Sequence, residues 1–502
     1  MKRQAILLMT DTTRCDMLGC YGDERMKTPS LDRLASEGIR YTQAYTAQPV
    51  CGPARSAIFS GTFPHSNGVI TNCMPYGANV KTIGQRLRDN GILAGYTGKW
   101  HLDGGDYFGF GIPADGWDRE TWYDMHNYLE ELSVDERLKS RKSSTAYESW
   151  PEEMCYAHRT VERALDFIEK HKDEDYFLVI SLDEPHGPCL CPEPYVHMYD
   201  GFSFSDDPVF HDDLKTKSMM QRLWAGEQLN APDETLNRSS DMLSLFLGCN
   251  SYADHELGRV IDKIHETNED AFIIYTSDHG DMLGAHRLQG KNAAFYKEIC
   301  NIPLIVRYGK NSPVTVSSHP VSHLDLAPTI LEYFSIPIPK LFEGRSILGE
   351  IKSPELRTNE YVFTEFTRYE VDHDGFGGLQ MMRAVTDGRY KLSINLCDRD
   401  EFYDTQTDPA EVENLIDDES YWEIRNKLHD ALLRHMDDTR DTYRGYQWGA
   451  RPWRKDFVSS WNNSGCTRQR ENEEYEPRQW DYDTGLPMKE AVRGKKLYDE
   501  KK

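Results

Sequence analysis

The sequence predicts an α/β fold with a large, mainly parallel sheet covered by helices on both faces, followed by a smaller part built on an antiparallel sheet. Short, uninterrupted apolar runs alternate with amphipathic stretches as far as about Lys352. Several of those runs end at residues capable of chemistry. Beyond Lys352 the pattern changes to short strands joined by tight turns.

Ala5-Ile6-Leu7-Leu8-Met9 is apolar at every position and stops at Asp11, as expected of a parallel strand buried on both faces. Leu31 to Gly38 reads as a helix with Ser30 as its N-cap. Cys51-Gly52-Pro53-Ala54-Arg55-Ser56 opens a second helix through Ala57-Ile58-Phe59. Pro53 suits its first turn because it has no N–H to leave unpaired, and Gly61 suits its end. Val80 to Asn90 predicts a helix leading into a strand near Leu93 to Tyr96. Val161 to His171 is amphipathic and leads to a strand over Tyr176 to Leu182. Leu243 to Thr267 contains a long helix, followed by a strand over Ala271 to Thr276. In such sheets, sites lie at the C-terminal strand ends.

In the second part, Tyr361 to Glu365, Met381 to Thr386 and Tyr390 to Ile394 predict short strands, with a turn at Asp387-Gly388. Asp417 to Asp437 reads as helical. The expected division is residues 1–355 for the large α/β part, 356–466 for an α+β subdomain and 467–502 for a charged tail. Trp480 and Tyr482 could dock that tail.

A chain of 502 residues can bury a large core, and 28% charged with 38% apolar residues is a globular balance. The 58 basic and 83 acidic residues give a net charge of −25, which argues against a general nucleic-acid or membrane-surface binder. An anionic substrate therefore needs a locally positive pocket. No run reaches membrane-spanning length, and Ala5 to Met9 is too short for a secretory leader, so cytoplasmic residence is expected, with export as the alternative if a leader was removed. The 11 cysteines are scattered, without the spacing of a disulfide framework or a zinc site.

Residue 51 stands beside a helix N-terminus, where free N–H groups and the dipole favour an anion, and Arg55 follows one turn on. Asp11 and Asp278, the latter in Asp278-His279, follow two strand tips and offer hard carboxylate ligands for a cation. In Gly91 to His101, Lys99 and His101 alternate along an extended segment and so share a side. His186 stands in Asp183-Glu184-Pro185-His186-Gly187-Pro188, and histidine as a residue type, with an unperturbed pKa near neutrality, suits acid–base work. Taken singly, each has a plainer reading as a turn aspartate, a small buried thiol, a solvated lysine or a loop histidine.

In order along one chain, these segments resemble the type I, formylglycine-dependent sulfatases of the alkaline-phosphatase-like superfamily. Cys51-Gly52-Pro53-Ala54-Arg55 matches the C-x-P-x-R signature, Gly98-Lys99-Trp100-His101 the second signature, and Pro185-His186-Gly187-Pro188 the P-H-x-P segment. Lys291 matches a sulfate-holding lysine, and the likeness covers about residues 4 to 416. The resemblance implies that a maturation enzyme oxidises Cys51 to formylglycine, whose hydrate attacks sulfur. It implies a metal site of Asp11, residue 51, Asp278 and His279, with Ca²⁺ expected first and Mg²⁺ or Mn²⁺ as alternatives. It assigns Arg55 to anchoring residue 51, Lys99 and Lys291 to sulfate, His101 to taking the hydrate's proton, and His186 to protonating the leaving alcohol. Thr12 stands where a second Asp is usual and could offer a hydroxyl; His286 is a further candidate for substrate contact.

A sulfatase acting on a sulfated small molecule or glycan is therefore expected. The alternatives are a phosphonate monoester or phosphodiester hydrolase of the same superfamily, and a catalytically silent glycan-binding relative. Trp100, Tyr107, Phe108, Phe110, Trp117, Trp122 and Tyr123 form an aromatic stretch that could stack on a sugar, with an aromatic core as the default expectation.

Overall fold

In a computed structural model, residues 2–77, 79–204, 207–226, 241–370 and 378–457 are described. The tail from residue 467, with Trp480 and Tyr482, lies outside them. Among the described residues, no helix is long and apolar enough to cross a membrane.

The elements that position the site are, in chain order, β1 (Gln4–Thr10), α1 (Pro29–Ser36), β2 (Ile39–Tyr45), α2 (Cys51–Ser60), α3 (Ile83–Asp89) and β3 (Leu93–Gly98). They continue with α4 (Tyr156–His171), β4 (Tyr176–Ser181), α5 (Asp241–Thr267), β5 (Phe272–Ser277), β6 (Asn301–Tyr308), β7 (Thr315–Ser317), β8 (Val321–Ser322) and α6 (Leu326–Tyr333). The strand order is β3-β4-β1-β5-β6-β2-β7, with β8 also paired to β2. Strands β3, β4, β1 and β5 are mutually parallel, whereas β6 runs antiparallel to both β5 and β2.

The apolar run of β1 is explained by burial on both sides. Ile6 and Leu8 pack with Leu31 and Leu34 of α1, Val161 of α4 and Leu257 of α5. Ala5, Leu7 and Met9 face the other layer, with Ile58 of α2, Leu87 of α3 and Ile330 of α6. Alternating residues of one strand thus enter two cores, and neither face is free to be polar.

The smaller sheet is antiparallel, in the order β12-β11-β10-β9, from β9 (Val362–Phe366), β10 (Met382–Thr386), β11 (Tyr390–Asn395) and β12 (Glu401–Asp404). The expected turn joins β10 to β11, where Gly388 has φ of 100° and Asp387 Oδ1 accepts from the Tyr390 N–H at 2.8 Å. Leu428, Leu432 and Met436 of α7 (Trp422–Asp438) pack on Val385, Leu392 and Phe402 of this sheet.

Two local expectations differ from the structure. Ser30 is not the cap of α1: the helix starts at Pro29, after Thr28. Asp254, from α5, accepts from the N–H groups of Ser30 and Leu31 at 3.0 and 2.8 Å, so the capping oxygens come from a distant helix. Lys99 and His101 are also not on an extended segment. β3 stops at Gly98, whose φ is 109° and where a Cβ would lie 2.0 Å from the Ser181 carbonyl oxygen; His101 then adopts φ of 59°.

Candidate active site

The parallel strands deliver the site. Thr10 pairs with Ser277 across β1 and β5, so Asp11 and Asp278 leave the sheet side by side. Gly98 pairs with Ser181 across β3 and β4, which brings Lys99 beside the segment carrying Asp183 and His186. Cys51 begins α2, and its thiol lies over these tips. Its Sγ is 3.1 Å from His279 Nε2 and 3.9 Å from Asp11 Oδ1.

Asp11, Cys51, Asp278 and His279 each place a ligand atom within 4.8 Å of the others, and all four are buried. His279 Nδ1 lies 2.8 Å from the Gly280 carbonyl oxygen, a partner that holds the proton there and leaves Nε2 facing the cluster. Burial and Asp11 push the Asp278 carboxyl up to about 7, although His279 and Arg55 oppose them. Burial also acts to raise Asp11, but Lys99, His186, Arg55 and Lys291 together hold it well below the usual carboxylate range.

Arg55 is wholly buried. It donates to Asp278 Oδ2 and Asp11 Oδ2, each at 3.0 Å, and to the Lys99 carbonyl and Ser181 Oγ, each at 2.7 Å. Four hydrogen bonds therefore tie it to the two carboxylates and the strand tips beneath Cys51. Thr12 is similarly committed: its hydroxyl donates to the Asp11 carbonyl at 2.5 Å and its N–H to Asp278 Oδ1 at 3.3 Å.

Lys99 Nζ lies 2.7 Å from Asp11 Oδ2 and 3.0 Å from Asp183 Oδ1. Burial would raise the Cys51 thiol pKa, as would Asp11, yet Lys291, Lys99 and His279 hold it well below the ordinary value. Burial would lower Lys291, but Cys51 and other anionic groups keep it raised. His101 is buried, and neither ring nitrogen has a hydrogen-bond partner among the described residues. Burying an imidazole without partners is costly, so those nitrogens mark a place for a polar ligand. His186 is half-buried and stacks on Tyr107 with ring centroids 5.2 Å apart; burial, Lys99 and Lys291 lower its pKa.

His286 is not brought into this cluster. It is fully buried, with Nδ1 2.7 Å from Asp212 Oδ2 and its ring 3.7 Å from that of Tyr296. Trp100, Trp117 and Trp122 pack with Phe59 and Tyr96 in the core, as the default aromatic reading expected. Tyr107 is different: its hydroxyl bonds Asp183, and its ring lies 4.4 Å from Lys99 Nζ.

Asp183 was not among the sequence candidates for the site, and Tyr107 was named only within the aromatic stretch that could stack on a sugar. Asp183 had a usable signal, since it follows a buried strand just as Asp11 does. Tyr369 had none. It comes within electrostatic range of Lys291 and Cys51 because β9 and the chain after it dock on the loops around Cys51, with Glu365 N–H donating to the Ala47 carbonyl at 2.8 Å and Asn72 N–H to the Tyr369 carbonyl at 3.0 Å.

A separate cavity of about 870 Å³ lies near the far end of α2 and between the two sheets, lined by Phe63, His65 and Phe363 among others. It includes none of the residues gathered around Cys51.

Comparison with known proteins agrees with this architecture. The family model "Sulfatase" matches residues 3–336, and the model "N-sulphoglucosamine sulphohydrolase, C-terminal" matches residues 284–438. The chain is 41% identical to the uncharacterized sulfatase YidJ of Escherichia coli (strain K12), covering 100% of this chain and 99% of that protein. It is 25% identical to an ulvan-active sulfatase of Formosa agariphila, covering 88% and 83% respectively. Among solved structures, a phosphonate monoester hydrolase from Silicibacter pomeroyi superposes with a TM-score of 0.74 at 21% identity, covering 88% of this chain and 96% of that one. A protein bound to its substrate D-glucosamine-2-N,6-O-disulfate superposes at 0.71 and 19%, covering 88% and 99%. These likenesses establish the shared fold. The family match over most of the chain, with the full-length relative at 41% identity, shows that the chain belongs to the sulfatase family and is a sulfuric ester hydrolase.

Proposed function

We propose that this enzyme hydrolyses a sulfate monoester on a carbohydrate, using formylglycine made from Cys51 beside a divalent cation. One observation carries the reading: the candidate nucleophile, two carboxylates and an imidazole converge within 4.8 Å, with Lys99 held against Asp11. The donors fit a divalent cation, because His279 Nε2 is turned inward and Asp278 is a buried carboxyl whose ionised form needs a positive partner. Ca²⁺ is the first expectation; the imidazole also admits Mg²⁺ or Mn²⁺.

When bound, the cation would polarise the sulfuryl oxygens, and the hydrated aldehyde of residue 51 would supply the attacking hydroxyl. The chain's own groups do the rest. Lys99 and Lys291 neutralise non-bridging oxygens, and Asp11 and Asp183 aim the Lys99 ammonium. His186 delivers a proton to the leaving oxygen. Burial and then the two lysines depress its pKa in the free enzyme, and the arriving anion offsets the lysines. Once residue 51 carries the sulfate, the unpartnered ring of His101 takes the proton of its remaining hydroxyl, so that the aldehyde re-forms and sulfate leaves.

A carbohydrate substrate is favoured by relatives named for glycans, an ulvan-active sulfatase and an N-acetylglucosamine-6-O-sulfatase. The reading also requires a formylglycine-generating enzyme as a maturation partner. Rates on matched sulfate, phosphate and phosphonate monoesters test the reaction class: matured protein should prefer the sulfate ester, and a preference for phosphonate would overturn the assignment.

A further inference from the structure

Beside the site stands a cation that the reaction above does not use. Arg141 follows the short helix Val134–Ser140 and is exposed. Its guanidinium carbon lies 5.5 Å from the ring centroid of Tyr107 and 5.1 Å from that of Phe108. Those two rings meet edge to face at 5.4 Å and form a two-sided platform. Among the described residues, the Arg141 guanidinium has no hydrogen bond or ion pair. In a chain of 83 acidic and 58 basic residues, an arginine held by aromatic faces alone keeps its planar fork of donors free.

The position of the platform gives that freedom a use. The Tyr107 ring stacks on His186, lies over Lys99 Nζ at 4.4 Å and bonds Asp183 through its hydroxyl. Arg141 is therefore one aromatic ring away from the histidine assigned to the leaving oxygen. A substrate with its sulfate at Lys99 and its leaving oxygen at His186 would extend its alcohol portion past Tyr107. A guanidinium there matches a carboxylate or a sulfate in bidentate fashion, and its loose hold on two rings lets it move to meet one.

We infer that Arg141 is a specificity-determining residue that recognises a second anionic group on the same substrate, so the preferred substrate class is a saccharide with at least two negative charges. This rests on the sulfatase reading given above. The second anion is a uronate carboxylate or another sulfate; both present the same paired oxygens to the guanidinium.

The test uses matured full-length enzyme and a matched series of sugars. Glucosamine 6-sulfate carries either a neutral N-acetyl group or an anionic N-sulfo group, and a third probe places a uronate beside the N-acetyl sugar. Each is measured as a substrate by kcat/KM or, if not turned over, as a competitor of 4-nitrophenyl sulfate by Ki. Wild type should favour at least one doubly charged probe about tenfold or more over the neutral-substituted one. Arg141→Gln should reduce that ratio to within about threefold, and Arg141→Lys should restore part of it. An N-sulfo preference identifies a sulfate as the second anion, and a uronate preference a carboxylate. No preference in wild type, or the same ratio in Arg141→Gln, overturns the inference. Absence of turnover by matured wild type on every sulfate ester of the series, 4-nitrophenyl sulfate included, would instead overturn the sulfatase reading on which it rests.

Discussion

Withdrawing the divalent cation should make the protein lose stability as pH rises from about 4 to 7, and Asp278 is the reason. Its carboxyl is fully buried, bonded to Arg55 and close to Asp11. Burial and Asp11 raise it to about 7 from the ordinary 3.8. The folded state then holds a proton that the unfolded chain has already released. This contribution is complete below the unfolded value and is lost as pH rises through about 7. At about 1.4 kcal/mol per pKa unit, the loss is on the order of 4 kcal/mol. Asp11 acts in the other direction: its folded pKa is depressed, so its contribution is present above the unfolded value and disappears only in acid. A bound cation holds Asp278 ionised in the folded state, so the stability gap between loaded and chelated protein should widen with pH. Urea unfolding of matured protein between about pH 5 and pH 8, with cation or with chelator, measures the gap. Asp278→Asn isolates the group. Identical pH slopes for chelated wild type and Asp278→Asn, or coincident loaded and chelated curves, would refute the reasoning.

In chelated protein, Arg55→Met leaves the buried Asp278 without its guanidinium partner, while Asp11 keeps Lys99. Urea unfolding should show a loss of about 3–5 kcal/mol, larger at pH 8 than at pH 5 because Asp278 is then ionised. His186→Gln should lower kcat/KM for an alkyl sulfate by about 10²–10⁴-fold, and far less for 4-nitrophenyl sulfate, whose leaving oxygen needs no proton. Equal losses on both esters would remove His186 from the acid role. Lys291→Ala should lower kcat about 10²–10³-fold on either ester, since it acts on the sulfuryl oxygens and not on the leaving group.

The strand tips were legible because strands buried on both faces must read as unbroken apolar runs, and the first polar residue after each run falls at the sheet's edge. Asp11 and Asp278 were found this way, and Asp183 could have been. What escaped depended on contacts distant in sequence. Asp254 caps α1 from α5, and nothing near Ser30 announces it. Arg55 reads in sequence as a cation next to the nucleophile; only the pairing of β1 with β5 places two carboxylates where its hydrogen bonds can bridge them. The alternation argument for Lys99 and His101 failed because Gly98 must approach the Ser181 carbonyl closely, which ends the strand first. β2 and β6 were not predicted. The polar positions of β2 obscure its role as a strand paired with β6, and β6 reverses direction within a sheet otherwise read as parallel. His286 lies in a segment that resembles a substrate-binding loop, but its left-handed φ of 52° and bond to Asp212 turn the ring into the core.

The central claim is that residue 51 works as an aldehyde hydrate. Its most direct test is the mass of the peptide containing residue 51, taken from protein made in a host with sulfatase-maturing activity. The account predicts the mass of formylglycine in place of cysteine, with activity proportional to the converted fraction. Unmodified Cys51 in protein that turns over sulfate esters at full rate, with a control sulfatase matured in the same cells, would contradict it.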